Sequence, residues 1–429
     1  MNQILCIALA LLVGLLSSRL MKFLRLPNVT GYLISGIIFG PFLLGKYIGG
    51  WNIDPASPTN LNAVKWISDI ALGFIAFTIG CSFKYSSLKA VGKRVVIITI
   101  FEALGGAIAT IGALFVAYIF MRDVLPVSII LTLGAIACAT APAATLMVIK
   151  QYKARGPLVD TLIPVVAFDD AVALIAFSIL FSISKAIASS SSISIMGIIV
   201  VPLIEIIASL VLGAVLGFVI SFGCRFFKSR ANRMIMVIAS ILIVVGLSML
   251  ATSQGWKLWG EDFSFSSLLS CMMIGAIFIN FRSDSQRTIE RIDQFTPPLY
   301  MLFFVISGAS LDITIFASDN AKVVIIVAVI YIIFRCVGKW TGAFASSKIT
   351  KAEPSVQKYL GFTLFPQAGV AIGLATNASQ SLADAGLANE SSLILAVILS
   401  ATLVYELCGP LITKIALYKA GEISNEKAA

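Results

Sequence analysis

Two aspartates, Asp169 and Asp170, stand side by side inside the apolar run VVAFDDAVAL. The chain has no histidine, so any proton chemistry falls to carboxylates, lysine or tyrosine. Neighbours on a helix point about 100° apart, so one acid can line an aqueous cavity while the other turns to a basic side chain. Crowded like charges and loss of water favour the protonated acid, and a nearby cation favours the carboxylate. A pair so placed titrates as one unit. It can hold protons at one moment and a small dehydrated cation at another, and oxygen-only ligands suit a hard alkali ion.

Other charges also interrupt long apolar runs: Asp69, Glu102, Glu205, Arg335, Lys339 and Glu406. Each costs about 2.5–3.5 kcal/mol at a membrane helix centre on insertion scales, which makes it a candidate for function. Asp169 and Asp170 lie about 18 Å along their helix at 1.5 Å per residue, and Arg335 reaches a comparable depth in another helix entered from the opposite side. Glu102 and Glu406 are expected to balance the buried positive charge of Arg335 or Lys339. Asp69 reads as a rim or scaffold residue and Glu205 as a hinge or interface residue.

Two segments could bring these groups together. ACATAPAATLM carries Ala141 and Pro142, and TLFPQAGVAIG carries Pro366 and Gly369. A proline among small residues removes a backbone donor and clashes with the preceding turn, so each segment should be a broken helix. Irregular backbone at that depth survives only where protein buries it or where it lines a cavity. The two segments are seven spans apart and so cross the membrane in opposite directions. Paired interrupted helices in inverted repeats point to a transporter with its site at the midplane.

The rest of the chain supplies the frame. Hydrophobic residues make up 59% of 429 and charged residues 12%, about half the charge of a soluble protein. Runs long enough to span a bilayer recur throughout, and the fold expected is an all-α polytopic membrane protein. Thirteen spans are predicted, at 3–20, 29–48, 63–82, 95–120, 127–149, 158–184, 195–223, 234–252, 264–280, 297–315, 323–346, 359–378 and 391–413. The first lacks a basic n-region and a clear cleavage site and reads as a retained helix. Alternate loops hold 23 basic residues against 6, with Arg335 and Lys339 inside the membrane. This bias predicts an outside N-terminus and a cytoplasmic C-terminus. It also accounts for the net charge of +10 without nucleic-acid binding. Seven scattered cysteines show neither disulfide nor metal spacing, and no cofactor is implied.

Six segments, in order, carry a family resemblance: LPNVTGYLISGIIFGP (26–41), ISDIALGFIAFTIG (67–80), FDDA (168–171), FFVISGASLD (303–312), RCVGKWTGA (335–343) and PQAGVAIGLA (366–375). Together they resemble the monovalent cation:proton antiporter superfamily, the Na+/H+ and K+/H+ exchangers of the paired-aspartate type. The resemblance covers nearly the whole chain and implies an inverted-repeat fold with two crossed broken helices. Residues 1–94 and 231–318 would form a scaffold and dimer interface, 95–190 and 319–418 a mobile core, 191–230 a linking helix and 419–429 a short cytoplasmic tail. Asp170 would bind the ion. Asp169 occupies the position where Asp accompanies electrogenic exchange and Asn electroneutral exchange. Thr140 and carbonyls of the first break would add oxygen ligands. The basic partner of Asp169 matches RxxG at Arg335 or GKxxG at Lys339, with Arg335 slightly preferred. Some relatives carry an Asp beside the first break, where this chain has Ala141.

The implied activity is exchange of Na+, or of K+ or Li+, for protons by a homodimer in a bacterial inner or plasma membrane. The rival classes fit less well. No segment resembles a carbonyl-ring selectivity filter. A prenyltransferase would need several spaced acids for Mg2+, and an organic-anion importer of related fold needs no adjacent aspartates.

Overall fold

A computed structural model describes residues 2–423 except 25, 49–50, 53–56, 58, 82, 84, 123–124, 190–199, 228, 260, 282–284, 311–320 and 385–386. Of the segments singled out above, Asp312 and the tail beyond 423 lie outside the described residues. The protein is almost wholly helical. Its long apolar helices are α1 (Gln3–Phe23), α5 (Tyr85–Tyr118), α8 (Pro157–Ser189), α9 (Val201–Phe226), α10 (Arg230–Ser253), α14 (Ala321–Ile349) and α17 (Ala388–Lys419). With the broken segment 127–152 they make eight stretches long and apolar enough to cross a membrane. Shorter apolar helices are α2 (Asn28–Phe39), α4 (Lys65–Cys81), α11 (Ser267–Phe281) and α13 (Pro297–Ala309), and α3 (Gly45–Ile48) is a single turn. Helices suit this composition because lipid offers no partner to an open backbone group.

Both expected breaks are present. The fifth span divides into α6 (Val127–Ala137) and α7 (Pro142–Tyr152), with Ala141 extended between them. The twelfth divides into α15 (Pro354–Thr363) and α16 (Gly369–Asp384). Pro142 and Pro354 occupy first-turn positions, where a missing N–H costs nothing. The two interruptions touch: the Ala141 amide donates to the Pro366 carbonyl at 2.9 Å.

Two features depart from the sequence expectation. α5 begins ten residues before residue 95, because hydropathy marks the part of a helix in lipid and not its polar extension. The charged segment SQRTIERIDQF forms a helix, α12 (Ser285–Phe295), which buries Ile289 and Ile292 and leaves its charges outward. Apolar residues three apart on an otherwise charged helix give one narrow docking stripe.

One apolar cluster draws mainly on α1, α2, α4, α10, α11 and α13. Two others draw on α5 to α8 and α14 to α17. Within the latter group α5 and α14 form the most extensive helix pair. Glycines permit it: a Cβ on Gly105 would lie 2.6 Å from the Gly338 carbonyl oxygen, and Gly342 packs on the backbone of Phe101 and Glu102. Small residues let membrane helices approach to backbone contact. That crossing carries Glu102 and Lys339 to the same point.

Candidate functional site

Glu102 on α5, Thr140 in the first break, Asp169 and Asp170 on α8 and Lys339 on α14 converge at the crossing. The Lys339 ammonium donates to a Glu102 carboxylate oxygen at 2.7 Å and to the Thr140 hydroxyl at 2.8 Å. Asp169 lies 3.7 Å from the same nitrogen. The Lys339, Glu102 and Asp169 side chains are sealed from solvent, and Asp170 is 4% exposed.

The carboxylates are short of partners. Both oxygens of Asp169, both of Asp170 and one of Glu102 are buried without a hydrogen bond. A buried polar group normally finds one, and an isolated buried charge costs several kcal/mol. One lysine faces two carboxylates directly, with a third beside them, so it cannot compensate all three as anions. Protons or a bound cation must balance the remainder. Among the described residues no cluster of three or more His, Cys, Asp or Glu is placed to hold a metal ion. An alkali ion here would use a mixed set of carboxylate, hydroxyl and carbonyl oxygens.

Arg335, preferred from sequence as the partner of Asp169, is placed differently. Its guanidinium donates to the carbonyls of Ala137 at 3.1 Å, Ala139 at 2.6 Å and Phe365 at 2.8 Å. It also lies 4.6 Å from the centre of the Tyr405 ring. The last carbonyls of a helix have no partner within it and form the negative end of its dipole. Arg335 therefore ties together the carbonyl end of α6 and the irregular residues after α15, and Lys339 one turn later meets the acids. The correction is one helical turn in size.

Gln367 completes the crossing. Its amide donates to Ile136 at 2.9 Å, and the Tyr331 hydroxyl is within hydrogen-bond reach of the same side chain. Neither residue stood out in the sequence, although a glutamine directly after the interrupting Pro366 was a usable signal. Gly369 opens α16 with free space where a side chain would sit. Glu406 on α17 is buried but makes no ion pair among the described residues. Of the two acids expected to balance buried positive charge, Glu102 is the one that reaches Lys339. Glu205 accepts from the Ser264 amide at 2.7 Å and anchors α9 to the segment before α11.

The family model for the transmembrane sodium/hydrogen exchanger matches residues 7–417. The chain belongs to the sodium/hydrogen exchanger family. Among curated proteins it is 24% identical over 301 residues to the Na(+)/H(+) antiporter ApNhaP of Aphanothece halophytica, covering 68% of this chain and 53% of that protein. It is 35% identical over 92 residues to Cation/H(+) antiporter 17 of Arabidopsis thaliana, covering 21% of this chain and 11% of that protein. The chain thus spans about half of one relative and about a tenth of the other. Its fold matches two structures of the sodium proton antiporter MjNhaP1 from Methanocaldococcus jannaschii. One aligns with a TM-score of 0.68 at 19% identity over 98% of this chain and 99% of that one. The other aligns with 0.73 at 18% identity over 97% of each.

A second group of contacts lies at the Lys150 end of the chain's helix bundle. There α7 and α8 face α4 across a narrow, closely packed apolar seam lined by Ile79, Pro142, Leu146, Ile163 and Val166 among others. Beyond it Lys150 pairs with Asp293 of α12 at 2.8 Å, and Gln151 accepts from the Asn28 amide at 2.9 Å. Sequence gave no signal for these pairs, whose members are more than a hundred residues apart.

Proposed function

We propose that this chain exchanges a monovalent cation, Na+ first and Li+ or K+ as alternatives, for protons by alternating access. The single observation that carries the reading is the pair of buried adjacent carboxylates beside a lysine at the meeting of two broken helices. Asp170 binds the ion, with Thr140 and carbonyls of the first break as further ligands. Asp169 alternates between Lys339 and a proton. Lys339 keeps Glu102 as its counter-ion when Asp169 is protonated, so releasing Asp169 does not strand a buried ammonium. Two protons then move per cation, and the exchange is electrogenic.

The separate apolar clusters support a core of 95–190 and 319–418 moving against a scaffold of 1–94 and 231–318, with α9 between them. The eight long spans, the four shorter apolar helices and the α15–α16 pair support a reading of thirteen crossings. The basic-loop bias supports an outside N-terminus and cytoplasmic Lys150, in a bacterial inner or plasma membrane. The cytoplasmic entrance is then closed in this conformation by the apolar seam and the Lys150–Asp293 and Gln151–Asn28 contacts. A homodimer through the scaffold is the expected assembly. The protein acts as a transporter and not as an enzyme, with no cofactor and no nucleic-acid partner.

The test is proton movement in everted vesicles on adding Na+, Li+ or K+, for wild type and Asp170→Asn. Wild type should respond to at least one cation and the variant to none. An undiminished response from the variant would remove Asp170 from the cycle.

A further inference from the structure

One buried acid has no part in this scheme. Glu406 lies on α17 with one carboxylate oxygen buried and unpartnered. Thr402 and Thr413 on the same helix also have buried hydroxyl oxygens without partners. Elsewhere, buried helical threonines such as Thr99, Thr110 and Thr132 bond the carbonyl four residues back. Thr402, Glu406, Gly409 and Thr413 are spaced by 4, 3 and 4 residues, which places them within an arc of about 60° on one helix face. A Cβ at Gly409 would meet Pro366 at 2.9 Å, so this face looks onto the second helix break. Pro410 adds to the pattern. It lies inside the continuous helix α17 and cannot donate the usual helix bond to the Glu406 carbonyl.

Nearby cations are engaged elsewhere. On α14, Arg335 holds the break carbonyls and Lys339 holds Glu102 and Thr140; Cys336 lies against the Tyr405 hydroxyl. On α7, Lys150 pairs with Asp293, and the Tyr152 ring carries Lys414 of α17 at 4.9 Å. On α15, Lys358 lies over Tyr359, and α2 presents Tyr32. Glu390 of α17 accepts from Ser128. A carboxyl buried without a counter-ion is retained only if a proton or a passing cation neutralises it.

We propose that Glu406, with Thr402 and Thr413, is a proton relay. It extends about 16 Å along α17 and carries hydrogen ions past the second break, apart from the cation ligands. The hydroxyls and the free carbonyl hold the water molecules that connect the stations. Glu406 accepts a proton from one water and returns it to the next, so no net bond is made. The inference rests on the exchange reading above, so its test includes a readout that needs no transport.

Purified protein in detergent should show, by infrared difference titration, a carboxyl band that remains in Asp169→Asn/Asp170→Asn and vanishes when Glu406→Gln is added. In liposomes Glu406→Gln should keep the apparent KM for the cation within about twofold and lose at least tenfold in rate at alkaline pH. Protons are scarce there and a relay limits turnover. Thr402→Val/Thr413→Val, which leaves every carboxylate in place, should show the same alkaline loss if Glu406→Gln does not fold. An unchanged pH profile in either folded variant, or no titrating band assigned to Glu406, would overturn the relay. Absence of exchange in wild type with the band intact would overturn the exchange reading alone.

Discussion

Replacing Gly105 with alanine should damage both stability and exchange. The new Cβ would sit 2.6 Å from the Gly338 carbonyl oxygen, whereas close C–H to oxygen contacts lie at about 3.3 Å. The helices must therefore part by roughly 0.7 Å locally. Overpacking of this kind costs about 1–3 kcal/mol. Alanine returns about 0.5–1 kcal/mol through helix propensity, leaving a net loss of about 0.5–2 kcal/mol. Gly112→Ala in the same helix is the control, because open space surrounds that position, and it should be neutral or mildly stabilising. Glu102 lies one turn from Gly105 and Lys339 adjoins Gly338, so widening the crossing stretches their 2.7 Å contact. The assay compares thermal midpoints of the detergent-solubilised protein and cation-driven proton movement in the same vesicle preparations. Equal midpoints for the two variants would refute the claim that glycine sets the α5–α14 separation.

Three further outcomes follow from the geometry. Lys150→Glu or Asp293→Lys alone should speed opening of the seam beside Lys150, measured as faster labelling of a cysteine placed at Ile163, and the double exchange should restore the slower rate. The pair is partly exposed, so its coupling should be only about 0.2–1 kcal/mol, and no recovery in the double variant would discount it. Asp169→Asn should make exchange insensitive to an imposed membrane potential, and a retained voltage response would contradict the charge count. Glu422, beyond the end of α17, accepts from the Leu158 and Val159 amides at the start of α8 at 2.6 and 2.9 Å. Burial pushes its carboxyl above the ordinary value, the two amides oppose this and Asp160 adds to it. The docked tail therefore holds a proton that the undocked chain has released, so docking weakens as pH rises from the ordinary carboxylate value through the raised one. Hydrogen exchange at residues 155–160, corrected for its intrinsic rate, should quicken across that window in wild type and not in Glu422→Gln; the opposite slope would refute the assignment.

Much of the site could be read from residue type and depth. The paired acids, the two prolines and the buried bases each carry a cost that a membrane chain tolerates only for a reason. The choice between Arg335 and Lys339 could not be read, because depth fixes a residue's level and leaves its partner to helix rotation and packing. The placement of Glu406 was hidden for a similar cause: a buried acid on that helix suggested a charged partner, yet its face looks onto Pro366. Helix α12 was hidden because charge dominates its composition and two isoleucines make its docking stripe. Gln367, Tyr331 and the Glu422 cap depend on contacts between distant segments, for which one sequence holds no local pattern.

The most direct test of the account counts protons on purified protein, without transport. In weakly buffered detergent, adding Na+, Li+ or K+ to wild type should acidify the medium, because a cation entering the site displaces hydrogen ions from Asp169 and Asp170. Asp170→Asn should release none. No release from wild type with any of these ions, or equal release from the variant, would contradict the claim that these neighbouring acids trade protons for a cation.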